Sequence, residues 1–420
     1  MFMKRKMSKL ALIMLGISML LLQGCGEKDS VSGYDGNNGT SVEQMIQDKL
    51  NGLAGQDVPS EEDVFLDEGV HEKTAEELLA EMTLEEKVYQ MFIVTPETLT
   101  GYDVVNASTQ ITKGWLEKYP VGGLIYFADN ILTREQTEDM LKNTMKSAME
   151  LQEIPIFLCV DEEGGSVVRV AGNPKMGVAN VGSMGEIKDE DGAYQAGATI
   201  GAYLKELGFT VDMAPVADVI TNEKNTVIGD RSFGSDPSIV DQYADSYSDG
   251  LHSKGILSTY KHFPGHGATE GDTHEGYAYT NKTYEELQEV ELVPFANAKK
   301  NKIDMVMVAH IAVPNITGDN TPCTLSYKMV TEVLKNDLNY NGLIITDAMN
   351  MGAITENYTS KEATVKAIQA GVDIVLMPDD FAASVEGVLE AVKKGDITEE
   401  RINESVLKII KKKLTIKVEE

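Results

Sequence analysis

Between residues 83 and 413 the chain alternates two kinds of apolar pattern. Short, nearly continuous apolar runs recur at residues 91–94, 123–127, 156–160, 210–213, 257–260, 305–308, 343–346 and 374–377. Runs of this length and continuity mark strands covered on both faces, as in a parallel sheet. Between them lie amphipathic stretches of helical period, among them 193–207, 239–254, 284–300, 327–338, 361–370 and a terminal one at 399–413. Thr83 and Glu86 stand at the spacing of a capping box just ahead of the first run. Strand and helix in strict alternation predict repeated βα units, and eight strand runs is the number that closes a (β/α)8 TIM-type barrel. Residues 74–420 are enough for one such α/β catalytic domain and leave no room for a second large one.

The first 73 residues follow neither pattern. Residues 1–24 hold Lys4, Arg5, Lys6 and Lys9 with no acidic residue, followed by an apolar run from 10 to 22 that is short for a membrane span. This predicts a secretory signal, and therefore export. The run ends in Leu22-Gln23-Gly24-Cys25, which resembles a bacterial lipoprotein signal whose Cys becomes lipid-modified and N-terminal, although Gln23 is unusual there. The expectation is a lipid anchor at Cys25 that holds the protein on the outer face of the cell membrane, with an ordinary signal peptide or an uncleaved anchor as the alternative. Residues 25–73 are poor in apolar side chains and rich in Gly, Ser, Asn, Asp and Glu, the composition of a flexible tether.

The formal net charge is −30, and the basic signal makes the remainder more acidic still, which excludes nucleic acid as a partner. Beyond the signal, only Cys159 and Cys323 remain. Cys159 lies inside an apolar run and reads as a small core residue, and neither cysteine is assigned a function.

In a barrel of this kind the chemistry gathers at the C-terminal ends of the strands. Asp161 follows the third run, Lys261-His262 the fifth, His310 the sixth and Asp347 the seventh. The densest segment is Lys261-His262-Phe263-Pro264-Gly265-His266-Gly267, followed by Gly271-Asp272-Thr273-His274. A histidine two positions after an acid can offer one ring nitrogen to the carboxylate and the other to a substrate, and the acid favours its protonated form. His266, beside Pro264-Gly265, reads rather as a residue that holds a turn. A zinc site built from His262, His266, Asp272, His274 and His310 is the rival reading; the first run opens no His-x-His pair, and Lys261 suits a hydroxyl-rich or anionic ligand better than a cation. Asp347, directly after an apolar run, is placed to attack an anomeric carbon, with a helix N-cap as the plainer alternative.

Taken together, these segments resemble glycoside hydrolase family 3, and within it the single-barrel β-N-acetylglucosaminidases. The resemblance runs from about Thr74 to Lys413 through Met82-Thr83-Leu84-Glu85-Glu86-Lys87, Val121-Gly122-Gly123, Asp161-Glu162-Glu163-Gly164-Gly165, Ile228-Gly229-Asp230-Arg231-Ser232-Phe233-Gly234, Lys261 to Gly267, Asp272-Thr273-His274, Ala309-His310 and Thr346-Asp347. It implies Asp347 as nucleophile, His274 as acid/base and Asp272 as its charge partner. Asp161, Arg169, Arg231, Lys261 and His262 match the family's sugar-binding positions. No metal or organic cofactor is implied. The implied partner is a carbohydrate, a glycan bearing terminal β-linked N-acetylglucosamine; peptidoglycan fragments suit an exported, tethered member, with chitin fragments and other glycans open. Tyr89, where many members have Gly, and Ser166, where an Arg is frequent, depart from the pattern. A family β-glucosidase, a phosphorolytic enzyme and a non-catalytic sugar-binding lipoprotein are the alternatives. The first is disfavoured because no second domain supplies a carboxylate acid.

Overall fold

The structure is a computed structural model and describes residues 73–269 and 278–418. Cys25, the signal and nearly all of the tether lie outside the described residues, as do Asp272 and His274. The described chain opens with two short helices, Ala75–Glu81 and Leu84–Gln90, each started by a complete capping box, Thr74 with Glu77 and Thr83 with Glu86. The second is the box expected from the sequence.

Each of the eight predicted runs contains or overlaps a strand. In chain order these are β1 (Phe92–Val94), β2 (Gly123–Ile125), β3 (Phe157–Val160), β4 (Val211–Asp212), β5 (Thr259–Phe263), β7 (Met305–Val308), β9 (Leu343–Thr346) and β10 (Val375–Leu376). Every residue in them is buried, as continuous apolar runs require. Two parallel ladders result, β10-β1-β2-β3-β4 and β5-β7-β9. Single parallel bridges make the joins: Val211 with Leu257 and Val216 with Lys261 link β4 to the β5 segment, and Ile345 with Ile374 links β9 to the β10 segment. The strands thus follow one another in TIM-barrel order. A further pair, β6 (Ala278–Tyr279) with β8 (Ile311–Ala312), is parallel and stands apart from the ring; two-residue strands leave no run for a sequence pattern to show.

The helical stretches hold with two changes. The expected 284–300 helix is broken into Tyr284–Glu289 and Val293–Asn297, with Val290 out of helical geometry and Pro294 within the first turn of the second piece. The 327–338 stretch winds as a wide π-type helix, Lys328–Asp337. Helices Glu190–Leu207 and Pro237–His252 pack so closely that only glycine fits at the contact. A Cβ on Gly197 would lie 2.0 Å from the Tyr247 carbonyl oxygen, and one on Gly250 would lie 2.3 Å from that of Tyr194.

The last helix, Glu399–Lys413, matches its predicted bounds and reaches residues at the N-terminal ends of β3, β9 and β10. Its Ser405 hydroxyl and Lys408 ammonium donate to the buried Asp373 carboxylate at 2.6 and 3.1 Å. Lys413 is fully buried, with Nζ 2.7 Å from Gln90 Oε1 and 5.4 Å from the centre of the Phe157 ring. Burial disfavours its charged form and pushes the amine down to about 7. Between that value and the ordinary 10.5 the unfolded chain binds a proton that the folded chain does not. Stability is therefore lost as pH falls through this window and is level below it. Lys413→Met should raise the melting temperature by about 2–4 °C near pH 7. The gain should shrink as pH approaches 10, a trend that thermal unfolding followed by circular dichroism across pH 6–10 would show.

Candidate active site

The site is assembled at the C-terminal ends of the strands. After β3 the chain runs Asp161-Glu162-Glu163-Gly164-Gly165, and its three acids divide between two tasks. Glu162, fully buried, accepts backbone N–H groups from Arg169, Val170 and Ala171 at 2.6, 2.8 and 2.8 Å, and the Tyr203 hydroxyl at 2.9 Å. That carboxylate folds the loop back on itself and so delivers Arg169 to the site. The return needs Gly164 and Gly165, both at positive φ.

Glu163 is the centre of the charge network. It receives Arg231 bidentately, Nε and Nη2 each at 2.8 Å, and Lys261 Nζ at 2.7 Å. Lys261 also reaches Asp161 Oδ1 at 2.8 Å. Burial alone would raise the Glu163 carboxyl, but Lys261 and Arg231 outweigh it and hold the group at about 2. Two anions and two cations are thereby packed in charge balance.

From β5, Lys261 and His262 enter together. The His262 ring donates from Nδ1 to Asp218 Oδ2 at 2.7 Å, and its backbone N–H meets Asp218 Oδ1 at 3.1 Å. The same Oδ1 accepts the His266 N–H at 2.6 Å. Burial would raise the Asp218 carboxyl, yet His262 and His266 hold it below the usual range. Asn225 spans two loops, its amide nitrogen donating to the His266 carbonyl at 2.8 Å. His266 is buried, as suits a residue that holds a turn, and its ring also reaches the cavity wall.

Asp347 follows β9. It caps no helix; its Oδ1 instead accepts the next residue's N–H, from Ala348, at 2.8 Å. Burial would raise this carboxyl, but His310, His262, the Ala348 N–H and Lys261 together keep it below the usual carboxylate range. It is therefore an anion at neutral pH.

These groups surround one cavity of about 300 Å³. Asp161, Arg169, Arg231, Lys261, His262 and Asp347 all line it. The rest of its wall is largely apolar and includes Ile125, Phe127, Met307, Met351 and Leu376, with Glu163, His266 and Asn350 among them. The Arg169 guanidinium lies over the Phe127 ring, 5.6 Å from its centre, and its Nε has no hydrogen-bond partner among the described residues. Arg231, expected to grip ring hydroxyls, spends Nε and Nη2 on Glu163 and Nη1 on the Val227 carbonyl at 3.0 Å. It acts here mainly as the brace of Glu163. Among the described residues no cluster of three or more His, Cys, Asp or Glu side chains is arranged to hold a metal ion.

Sequence reading did not single out Glu162, Glu163, Asp218 or Phe127. Glu163 lay within a quoted motif, and Asp218 ends the apolar stretch after β4, so the strand-end rule applied there would have found it. Phe127 left no chemical signal.

The Glu163 cluster sets an acid limit. Its carboxyl is depressed on folding, so the stability it lends is present above about 4.5 and lost as pH falls toward about 2. Wild type should lose a few kcal/mol over that interval beyond the loss seen in Glu163→Gln. Urea midpoints measured from pH 5 to pH 2.5 on both proteins would show the divergent slopes.

Known proteins resemble this chain in sequence and in fold. Residues 83–412 match the family described as "Glycosyl hydrolase family 3 N terminal domain". The chain is 31% identical over 323 residues to "Beta-hexosaminidase A" of Pseudoalteromonas piscicida, a match covering 71% of this chain and 54% of that protein. It is 32% identical over 321 residues to "Beta-hexosaminidase LpqI" of Mycobacterium tuberculosis, covering 73% of this chain and 78% of that one. Among solved structures, a glycoside hydrolase family 3 β-N-acetylglucosaminidase from Paenibacillus sp. str. FPU-7 superposes with a TM-score of 0.74 at 32% identity. That match covers 80% of this chain and 62% of the other. The chain thus spans about half the length of the Pseudoalteromonas relative and under two thirds of the Paenibacillus one.

Proposed function

Because the chain belongs to glycosyl hydrolase family 3, we propose that it is a retaining exo-β-N-acetylhexosaminidase that removes terminal β-linked N-acetylglucosamine. The observation that carries this reading is the ionised, buried Asp347 in the wall of a cavity whose other polar groups include Asp161, Arg169, Lys261 and His262. At about 300 Å³ the cavity is at the small end of ligand pockets, suited to a single sugar unit. Its acids and cations suit ring hydroxyls, and its apolar wall suits a sugar face and an acetamido methyl. The names borne by the Pseudoalteromonas, Mycobacterium and Paenibacillus proteins support the same choice.

In this reading Asp347 attacks the anomeric carbon while protonated His274 donates to the departing glycosidic oxygen. Neutral His274 then takes a proton from water as the water displaces Asp347, and the sugar leaves with retained configuration. Asp272 is the charge partner that favours the protonated ring. No residue in this scheme calls for a metal or organic cofactor. Phosphate in place of water would make the reaction a phosphorolysis, and a family β-glucosidase is the other catalytic alternative.

The physiological setting follows from the N-terminal segment. We read the protein as exported and lipid-anchored through Cys25 on the outer face of the cell membrane, with peptidoglycan fragments as the glycan it meets. Cys25→Ala should move the protein from the detergent-soluble membrane fraction to the aqueous one, as immunoblotting of fractionated cells would report. Retention in the membrane would mean an uncleaved apolar anchor instead.

The activity itself is tested by offering aryl β-N-acetylglucosaminide and aryl β-glucoside, with and without phosphate. The acetamido sugar should be hydrolysed in preference, with the β-anomer appearing first by proton NMR. Asp347→Ala should lower kcat/KM by roughly 10³-fold or more. Preference for the glucoside, a sugar phosphate product, or activity surviving the substitution would each replace this reading with a different one.

A further inference from the structure

The hydrogen bonds around one buried histidine favour a ring that donates from both nitrogens. His310 follows β7 and is fully buried. Its Nε2 lies 3.0 Å from the carbonyl oxygen of Ala348. A carbonyl only accepts, so Nε2 carries a hydrogen. Its Nδ1 lies 2.8 Å from Thr324 Oγ1. That hydroxyl has one hydrogen, and the carbonyls of Ala309 and Val308 stand 2.8 and 3.1 Å from its oxygen. Directed at either carbonyl, the hydroxyl leaves a lone pair facing Nδ1, which Nδ1 meets by donating; directed at Nδ1 instead, it would leave its oxygen against two carbonyl oxygens with no hydrogen between them. A ring that donates from both nitrogens is an imidazolium.

A buried cation needs a counter-charge, and Asp347 is the anion on which the charge of this ring acts. Of the groups that oppose the effect of burial on the Asp347 carboxyl, His310 is the foremost, ahead of His262, the Ala348 N–H and Lys261. Among the described residues, His262 and Lys261 from β5 and His266 from the turn after it are the other cationic or titratable groups that act on that carboxylate. In the turn that carries Thr324, the neighbouring Cys323 thiol is buried, pushed up by that burial and therefore neutral.

We propose that His310 is a positioning residue, held as an imidazolium, that sets both the orientation and the charge of the nucleophile. It grips residue 348 by the carbonyl, and the amide of the same residue donates to Asp347 Oδ1 at 2.8 Å. This rests on the reading of Asp347 as nucleophile. In the second displacement water attacks the anomeric carbon and the bond from that carbon to Asp347 breaks. The electron pair returns to the carboxylate, and the proton of the water passes to neutral His274. A fixed cation beside the departing carboxylate stabilises the charge that builds there. In the first displacement the carboxylate loses charge, and the same cation gives no help. His310 therefore acts on release of the bound sugar more than on its capture.

The test uses His310→Gln and Thr324→Val in the full chain, with an N-acetylglucosaminide of a good leaving group such as 4-methylumbelliferone. For His310→Gln, kcat should fall by about 10²-fold, with KM falling alongside it and a pre-steady-state burst of the aglycone. The acid limb of the kcat/KM pH profile should move up by about one unit. Thr324→Val keeps the ring and removes only its Nδ1 acceptor, so it should shift the limb the same way by less, and it carries the test if His310→Gln does not fold. Loss of activity with an unmoved limb and no burst, in a folded variant, means that His310 merely packs, and the proposal is wrong. Trapping with 5-fluoro-N-acetylglucosaminyl fluoride and peptide mass spectrometry separates this failure from the other one. A label on Asp347 leaves the nucleophile reading standing whatever His310 does, whereas a label on another residue overturns that reading and this proposal with it.

Discussion

The arrangement depends on one buried carboxylate, that of Glu163. With no cation beside it, a fully buried acid would take up a proton rather than stay charged. Lys261 and Arg231 arrive from β5 and from the loop that follows β4, and bond it at 2.7–2.8 Å. Three segments that share no sequence neighbourhood are thereby fixed to one atom group. The cost of burying four charges is offset by mutual pairing, with Asp161 completing the balance through Lys261. Beside the held Lys261, His262 turns to Asp218, and the two side chains form part of the cavity wall.

A second device of the same kind holds Arg169. Glu162 gathers three consecutive backbone N–H groups and a tyrosine hydroxyl, so the loop after β3 has a buried anchor of its own. Adjacent residues in sequence thus serve different tasks, Glu162 for the loop's shape and Glu163 for the charge network. The Arg169 side chain is left with its stem secured, its face on Phe127, and its Nε unengaged within the described protein. A guanidinium presented in this way is pre-organised, which lowers the entropy lost when a hydroxyl-bearing ligand binds.

Much of the fold was legible because its signals are local. Continuous burial gives a strand of a parallel barrel an apolar run, and all eight runs located strands to within a few residues. The terminal helix was legible to its last residue, since Glu399–Lys413 has a strong apolar stripe and a Thr398 cap. What failed was local as well. The 284–300 stretch kept its helical period across a break, because periodicity alone does not register the turn at Val290. The pair β6–β8 was invisible because two residues make no pattern.

The sequence by itself determined the barrel, the strand ends at which chemistry collects, and the presence of Asp161, Lys261, His262 and Asp347 at three of those ends. It did so because burial and strand period are written residue by residue. Only the tertiary structure decided what those residues are charged against. Nothing near Asp347 in the chain is basic, yet His310, His262 and Lys261 surround it in space and hold it ionised. Arg231 reads in the sequence as a ligand group and proves to be mostly engaged with Glu163. Coulomb energies depend on distance through space and on the water excluded, and the chain order of a barrel places partners a hundred residues apart within 3 Å.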